Sequence, residues 1–230
     1  MRGAEGEQAR GRCKNVREKA HVSLAIHAGS DYTRHMEWND RFMQMFTAAV
    51  YRFHEQAQVV ADHFFLPEEQ ALLGEIGYTP HEMLDYVRDY ATSGEPTPST
   101  VLLIAAARRA FFVRVQRGMA GGTLLKEADI PRETEEYQDI AYLPRIIRKA
   151  EAKLYGTLPR SVMYYCEKDR AFLRAHGSIH PADFLYEVWN AKGDKQKVVS
   201  YVLRVMKESG VQLPAKPVNP MGGELLMDER

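Results

Sequence analysis

The sequence has few cysteines, no long apolar run and no net charge, and the first two of these absences exclude whole classes of protein. Two cysteines among 230 residues cannot form the disulfide framework of a small secreted domain, and they suit a reducing compartment. The longest apolar run, at residues 101–107, ends at Arg108 and is far shorter than the roughly 20 residues that a membrane-spanning helix needs. We therefore expect a cytoplasmic protein that has no membrane segment.

The sequence also lacks the patterns of a β-sheet and of the common catalytic sites. No alternation of polar and apolar residues extends beyond a few positions, so no strand ladder is predicted. CxxC, HExxH and paired-carboxylate spacings are absent as well. We predict an all-α protein with no cofactor and no metal, and the sequence leaves open whether it is an enzyme.

Apolar residues recur at helical spacing along most of the chain. Between residues 39 and 64 they step by four or three, which predicts one long amphipathic helix. Prolines at first helical positions and glycines or capping residues at helix ends delimit seven more helices, and the eight form two similar four-helix units packed together. The predicted organisation is a disordered basic arm (1–38), an acidic helical unit (39–118), a linker (119–141), a basic helical unit (142–210) and a flexible tail (211–230).

The two predicted units have opposite charge although the whole chain is neutral. Residues 36–141 contain 9 Lys and Arg against 17 Asp and Glu, a net charge of −8, and residues 142–209 contain 13 against 7, a net charge of +6. This distribution favours packing of one unit on the other. The alternative is a basic surface that binds an anionic partner.

The two units also resemble each other. EQALLGEIG at residues 69–77 aligns without a gap with DRAFLRAHG at residues 169–177. After one inserted residue, TPHEML at 79–84 aligns with HPADFL at 180–185. The pattern suggests duplication of a helical repeat, although the rules for helix ends alone supply the shared acid, glycine and proline.

LPRIIRKAEAKLYG and the following DRAFLRAHGSIHPADF resemble an uncharacterised bacterial family, catalogued as domain of unknown function 5069. The segments WNDRF, EIGYTP and PTPSTVLLIAAARRAFF resemble the N-terminal part of its longer members. Together they span most of residues 38–209. The resemblance implies a shared fold and gives no reaction.

Residues 164–188 contain a cysteine, two aspartates and two histidines, which could form a site or could simply mark helix ends. Asp169 falls in the first turn of one helix and His180 at the N-cap of the next, positions that capping and the helix dipole explain. No ligand spacing supports a metal site here. We predict helix ends, and we keep Tyr165, Cys166, Asp169 and His180 as candidate ligand-binding residues.

Arg108 and Arg109 interrupt a helix that is apolar on nearly every side. Arg108 lies on the apolar stripe itself, and burying an unpaired guanidinium is costly. The acidic unit offers Glu75, Asp85 and Asp89 as partners, so an internal ion pair is the first prediction. The alternative is that the two arginines bind the phosphate or carboxylate of a small ligand.

Arg145, Lys149 and Lys153 are spaced by four residues along one helix and predict a basic surface on one of its edges. Such an edge could follow a nucleic-acid backbone. The chain contains no recognised nucleic-acid motif, and Glu151 interrupts the face. A solvated flank is therefore the favoured interpretation.

These patterns favour a module that binds another macromolecule, with a protein as the expected partner. The alternative is an enzyme or a binder of a small anionic ligand, with its pocket between the two helical units. The first hypothesis predicts an exposed apolar or charged patch, and the second predicts that the candidate residues meet around one cavity. Those residues are Arg108, Arg109, Tyr165, Cys166, Asp169 and His180. The oligomeric state is left open.

Overall fold

The computed structural model describes residues 37–56 and 59–212, and these ranges contain nine α-helices. The predicted arm up to residue 36 and the predicted tail from residue 213 lie outside the described residues. The helices are α1 (Trp38–Glu55), α2 (Ala61–Phe64), α3 (Pro67–Glu75), α4 (Pro80–Ser93), α5 (Pro98–Arg114), α6 (Leu143–Tyr155), α7 (Glu167–Ala175), α8 (Pro181–Ala191) and α9 (Lys195–Glu208).

The prediction of an all-α fold is confirmed. In the part of the chain that the structure describes, the only strands are a two-residue antiparallel pair, β1 (Glu136–Tyr137) and β2 (Ile140–Ala141), within the predicted linker. A short 3-10 helix, Glu127–Asp129, lies in the same linker. Among the described helices, none combines the length and the apolar character needed to cross a membrane.

The single long helix predicted for residues 39–64 is wrong, because the chain leaves the helix after Glu55. Gln56 has an extended backbone, and the separate short helix α2 begins at Ala61. Arg52, in the last turn of α1, donates a hydrogen bond of 3.0 Å to the carbonyl of Phe64, which holds the end of α2 against the end of α1. The amphipathic pattern therefore spans two separate helices.

Local capping and left-handed glycines mark the two helix boundaries at Gly77 and Gly177. Thr79 caps α4 and His180 caps α8, each by accepting a backbone N–H bond, at 3.2 and 3.3 Å respectively. Gly77 and Gly177 follow α3 and α7 with φ of +74° and +93°, the left-handed conformation that ends a helix. The predicted helix–glycine–cap–proline pattern is present in both halves of the chain.

The helices of the two predicted units share one hydrophobic core. α5 from the first unit packs against α6 and α8 from the second. Buried apolar side chains from all nine described helices belong to a single cluster, and the described chain from Glu37 onward forms one compact unit. The two predicted units are therefore successive parts of the chain that contribute to the same core.

Candidate functional site

The structure places the six candidate ligand-binding residues at several separate positions. Tyr165, Cys166 and Asp169 lie together at the start of α7. Arg108 lies on α5, against the glycine that ends α6, and the guanidinium carbon of Arg109 is 5.2 Å from the ring centre of Trp38. His180 caps α8.

Asp169 is the centre of a buried cluster at the start of α7. Its side chain is fully buried and forms an ion pair with Lys149. It also accepts hydrogen bonds from the Tyr142 hydroxyl at 2.8 Å and from the backbone N–H of Tyr165 at 2.6 Å. Cys166 lies beside this cluster, with its Sγ 3.3 Å from the Lys149 Nζ. With three donors on one carboxylate, Asp169 joins α6, α7 and the segment before α6.

The same arrangement occurs at the start of α3, where the sequence alignment places Glu69 opposite Asp169. Glu69 is 8 % exposed and pairs with both terminal nitrogens of Arg52, at 2.9 Å each. It also accepts the backbone N–H of Leu66 at 2.8 Å. Each acid therefore pairs with a base from a preceding helix and with an N–H at the start of its own helix. The repeat seen in the sequence has a counterpart in these contacts.

The predicted basic surface is wrong, because two of its three residues are buried. Lys149 and Lys153 are each 1 % exposed, since α6 lies between acids from α7 and α4 that pair with them. Only Arg145 is partly exposed, and it donates to the carbonyl of Pro131 at 2.7 Å. This edge of α6 cannot follow a nucleic-acid backbone in the way the sequence suggested.

Lys153 is held by one carboxylate and two aromatic rings. Its Nζ lies 3.1 Å from Oε1 of Glu82 and 3.6 and 5.2 Å from the ring centres of Tyr78 and Tyr86. Burial lowers the pKa of Lys153 to about 8, and the nearby Glu82 opposes part of this shift. The charged form of Lys153 is therefore less stable in the protein interior than it would be in water.

Lys153 should give the fold a measurable pH dependence. Its pKa falls from 10.5 to about 8 on folding, so the unfolded chain binds an additional proton between these values and stability rises with pH in that window. The penalty, about 3 kcal/mol, is fully present below pH 8. We expect Lys153→Met to be at least as stable as the wild type at pH 7 and to lack the rise. Urea unfolding of both proteins from about pH 7 to about pH 9.5 measures this.

The measurement stops there because, at higher pH, the buried tyrosines make the stability of the fold decrease as pH rises. Burial raises the pKa of Tyr78, Tyr86 and Tyr164, so these hydroxyls ionise more readily in the unfolded chain and stability falls above pH 10. A wild-type curve that is flat above pH 8, or a Lys153→Met curve that rises equally, would contradict the role given to Lys153.

A cavity of about 220 Å³ lies between the start of α4 and the chain that follows α6. Its charged lining residues are Asp62, His81, Glu82, Asp85 and Arg160. Glu82 is engaged by Lys153 and by the N–H of Thr79. Asp85 is engaged by Arg88 at 3.1 Å. Two of the three carboxylates in this cavity are therefore already satisfied by the protein.

Arg108 forms no ion pair with any described residue, so the predicted internal pair is wrong. Arg108 is 1 % exposed, and its Nη1 donates to Oε1 of Gln116 at 2.7 Å. Its Nε is enclosed without a hydrogen-bond partner among the described residues, and its guanidinium carbon lies 5.1 Å from the ring centre of Phe112. The expected partners are held by other arginines: Glu75 by Arg41, Asp85 by Arg88, and Asp89 by Arg170.

Two glycines in the left-handed conformation press against the Arg108 guanidinium. Gly77 has φ +74° and Gly156 has φ +68°. A Cβ atom would lie 2.8 Å from Nη2 of Arg108 at Gly77 and 2.7 Å from it at Gly156. The sequence identified Gly77 as a helix end, but gave no sign that Arg108 also requires a glycine there.

An exposed aromatic cleft, with a volume of about 490 Å³, lies between α5, α6 and α8. Its apolar lining residues are Phe111, Val115, Ala152, Leu154, Tyr155, Val188 and Trp189. The ring of Phe111 contacts those of Tyr155 and Trp189 edge-on, with ring centres 4.9 and 5.2 Å apart. Tyr155 is 50 % exposed and Val115 43 % exposed. Sequence reasoning missed this cleft, and the one available signal was that Tyr155 lies outside the apolar stripe of α6.

The rim of the aromatic cleft has a positive charge that no described residue neutralises. Arg148, Glu151 and Lys192 line it. Arg148 pairs with Glu151 at 3.3 Å within α6. Lys192 is exposed and forms no ion pair with a described residue. The rim is therefore suited to a carboxylate.

Within residues 37–56 and 59–212, no group of three or more His, Cys, Asp or Glu side chains is placed to hold a metal ion. No protein-family model, curated protein or solved structure matches the chain. The resemblance to the domain of unknown function 5069, and the bacterial origin that it implies, stay predictions.

Proposed function

We propose that the protein is a binding module whose aromatic cleft receives an apolar side chain from a partner protein. The observation that supports the proposal is an open cleft with an apolar lining that carries two exposed apolar side chains, Val115 and above all the half-exposed Tyr155. Contiguous exposed apolar surface marks interaction sites, and aromatic residues are enriched at the centres of protein interfaces.

The cleft is built on rigid elements, which favours tight binding. Phe111 is buried in α5 and supports both Tyr155 and Trp189. Trp189 is also stacked on Tyr186, with ring centres 5.9 Å apart, and Tyr186 is 38 % exposed. Little side-chain entropy is lost when a partner docks on rings that are already packed against one another.

The charge at the rim indicates which partner segment fits. Lys192 lies beside the aromatic rings and has no acidic partner among the described residues. A carboxylate next to the apolar anchor of the partner would meet this ammonium. We infer a partner segment in which an aromatic residue or leucine is adjacent to Asp or Glu.

Peptide selection on the full chain tests this proposal. We expect a library of random peptides to yield binders in which Phe, Tyr, Trp or Leu is adjacent to Asp or Glu. Tyr155→Ala should weaken a selected peptide about 10- to 100-fold, because truncating a central aromatic costs on the order of 2 kcal/mol. The fluorescence of Trp189 reports binding when Trp38→Phe removes the other tryptophan of the chain.

Tyr51→Ala is the matched control, because Tyr51 is 70 % exposed on α1 and is not part of the cleft. It should leave peptide affinity unchanged. Lys192→Glu should weaken acidic peptides, and this loss should shrink at high salt. Selected peptides that bind Tyr155→Ala as tightly as the wild type would rule out the cleft as the binding site.

A further inference from the structure

We propose that Arg108 is a binding site for a compact oxyanion, the carboxylate or phosphate group of a small molecule, which takes the place of the Gln116 side chain on the guanidinium. This site is distinct from the aromatic cleft. It requires no partner protein.

The hydrogen bonds of Arg108 fall far short of what a buried guanidinium needs. A guanidinium has five N–H donors, and Arg108 uses one of them on described residues, the bond from Nη1 to Gln116. Arg170 is buried to a similar degree, at 5 % exposure. It nevertheless pairs with Asp89 and Glu95 and donates to the carbonyl of Tyr165. Among the described residues, Arg108 therefore has neither the carboxylate partners nor the carbonyl acceptor that Arg170 has.

An oxyanion can reach Arg108 only on the side where Gln116 lies. Nε is enclosed and has no hydrogen-bond partner among the described residues. Gly77 and Gly156 close the side of Nη2, since a Cβ at either glycine would lie 2.8 or 2.7 Å from it. Nη1 donates to the partly exposed Gln116, and a carboxylate or phosphate oxygen in the position of this carboxamide would accept a charge-assisted hydrogen bond, which is stronger.

The charges near Arg108 favour an added anion. Glu82 is the acid whose charge acts on Arg108, and it is already paired with Lys153 at 3.1 Å. The charge of Arg108 is therefore unmatched within the described residues. Burial lowers the pKa of Arg108, which reports that its surroundings disfavour the charge. An oxyanion would supply the missing counter-charge.

Gln116 provides the route by which an anion reaches Arg108. It lies just after α5 and is partly exposed. Its side chain accepts from Arg108 and donates to the carbonyl of Tyr155 at 3.1 Å. Displacing this side chain breaks two neutral-acceptor hydrogen bonds and exposes the guanidinium to a charged acceptor, which forms the stronger bond.

Thermal unfolding of the full chain tests the site. We compare phosphate and acetate with chloride at equal ionic strength. We expect a saturable rise in Tm with at least one oxyanion, about 5 to 10 °C at a concentration one hundred times Kd. A larger rise in phosphate assigns a phosphorylated ligand, and a larger rise in acetate assigns a carboxylate ligand. No saturable rise with either anion would overturn the proposal.

Three variants separate this site from general salt effects. Arg108→Met should lose the response, and Arg109→Met should keep it, because Arg109 packs on Trp38 instead. Gln116→Glu places a carboxylate on Nη1 of Arg108, so it should raise Tm in chloride and suppress the response to added anion. If Arg108→Met does not fold, Gln116→Glu decides: an unchanged Tm with an unchanged anion response overturns the site, as does a response that persists in a folded Arg108→Met.

Discussion

Asp169→Ala should destabilise the protein by about 3 to 5 kcal/mol, because it leaves a buried charge without a partner. Lys149 is 1 % exposed and would keep only the Cys166 sulfur, 3.3 Å from its Nζ. The Tyr142 hydroxyl and the N–H of Tyr165 would lose their acceptor as well. Urea unfolding at pH 7 measures the change, which is large against the total of about 5 to 15 kcal/mol that is typical of folded proteins.

Two further variants show whether the ion pair itself is responsible. Asp183→Ala removes an exposed acid from the first turn of α8, so it should cost far less than Asp169→Ala. Replacing both partners, Lys149→Met with Asp169→Leu, should recover much of the loss, because well-packed apolar residues often replace a buried ion pair without penalty. Equal costs for Asp169→Ala and Asp183→Ala would show that Asp169 acts only on the helix dipole.

Helix ends in this protein were predictable because they depend on a few neighbouring residues. Gly77 and Gly177 adopt the left-handed conformation that ends a helix, and Thr79 and His180 cap the helices that follow. Each of these features needs only a backbone group within a few positions along the chain. The break after Glu55 was missed because apolar residues kept helical spacing across it.

The burial of charged residues was harder to predict because their partners are distant in the sequence. The spacing of Lys149 and Lys153 correctly predicts that they share one side of α6. It does not predict whether that side faces water. Lys149 pairs with an acid 20 residues away, and Lys153 with one 71 residues away. The position of Arg108 on an apolar stripe predicts its burial. Its lack of an acidic partner among the described residues was not predictable, because it depends on the acids Glu75, Asp85 and Asp89 binding other arginines.

The aromatic cleft was not predictable from local patterns because three helices contribute to it. Phe111, Tyr155 and Trp189 come from α5, α6 and α8, and they meet only through the packing of α5 on the other two. Each ring alone is compatible with an ordinary core position. That they line one open cleft becomes visible only when the tertiary structure is known.

Gly77→Ala should cost about 2 to 5 kcal/mol, from two effects that add at one position. With φ at +74°, any residue with a Cβ is strained by about 1 to 2 kcal/mol. The new Cβ would also lie 2.7 Å from Cγ of Phe112 and 2.8 Å from Nη2 of Arg108. Forcing extra volume into a packed interior costs typically about 1 to 3 kcal/mol. Equilibrium unfolding in urea gives the total.

Gly94→Ala separates these two effects, because Gly94 has nearly the same φ, +75°, and a Cβ there would meet nothing within 4 Å. It should show the conformational cost alone, so the difference between the two variants measures the pressure on Phe112 and Arg108. Arg108→Met in the Gly77→Ala background should reduce that difference, since the guanidinium of Arg108 is one of the two groups that the new Cβ contacts. The methionine that replaces it is shorter and less stiff. If Gly77→Ala and Gly94→Ala lower the free energy of unfolding equally, Gly77 is needed only to end α3. Its contact with Arg108 then places no further requirement on the residue at this position.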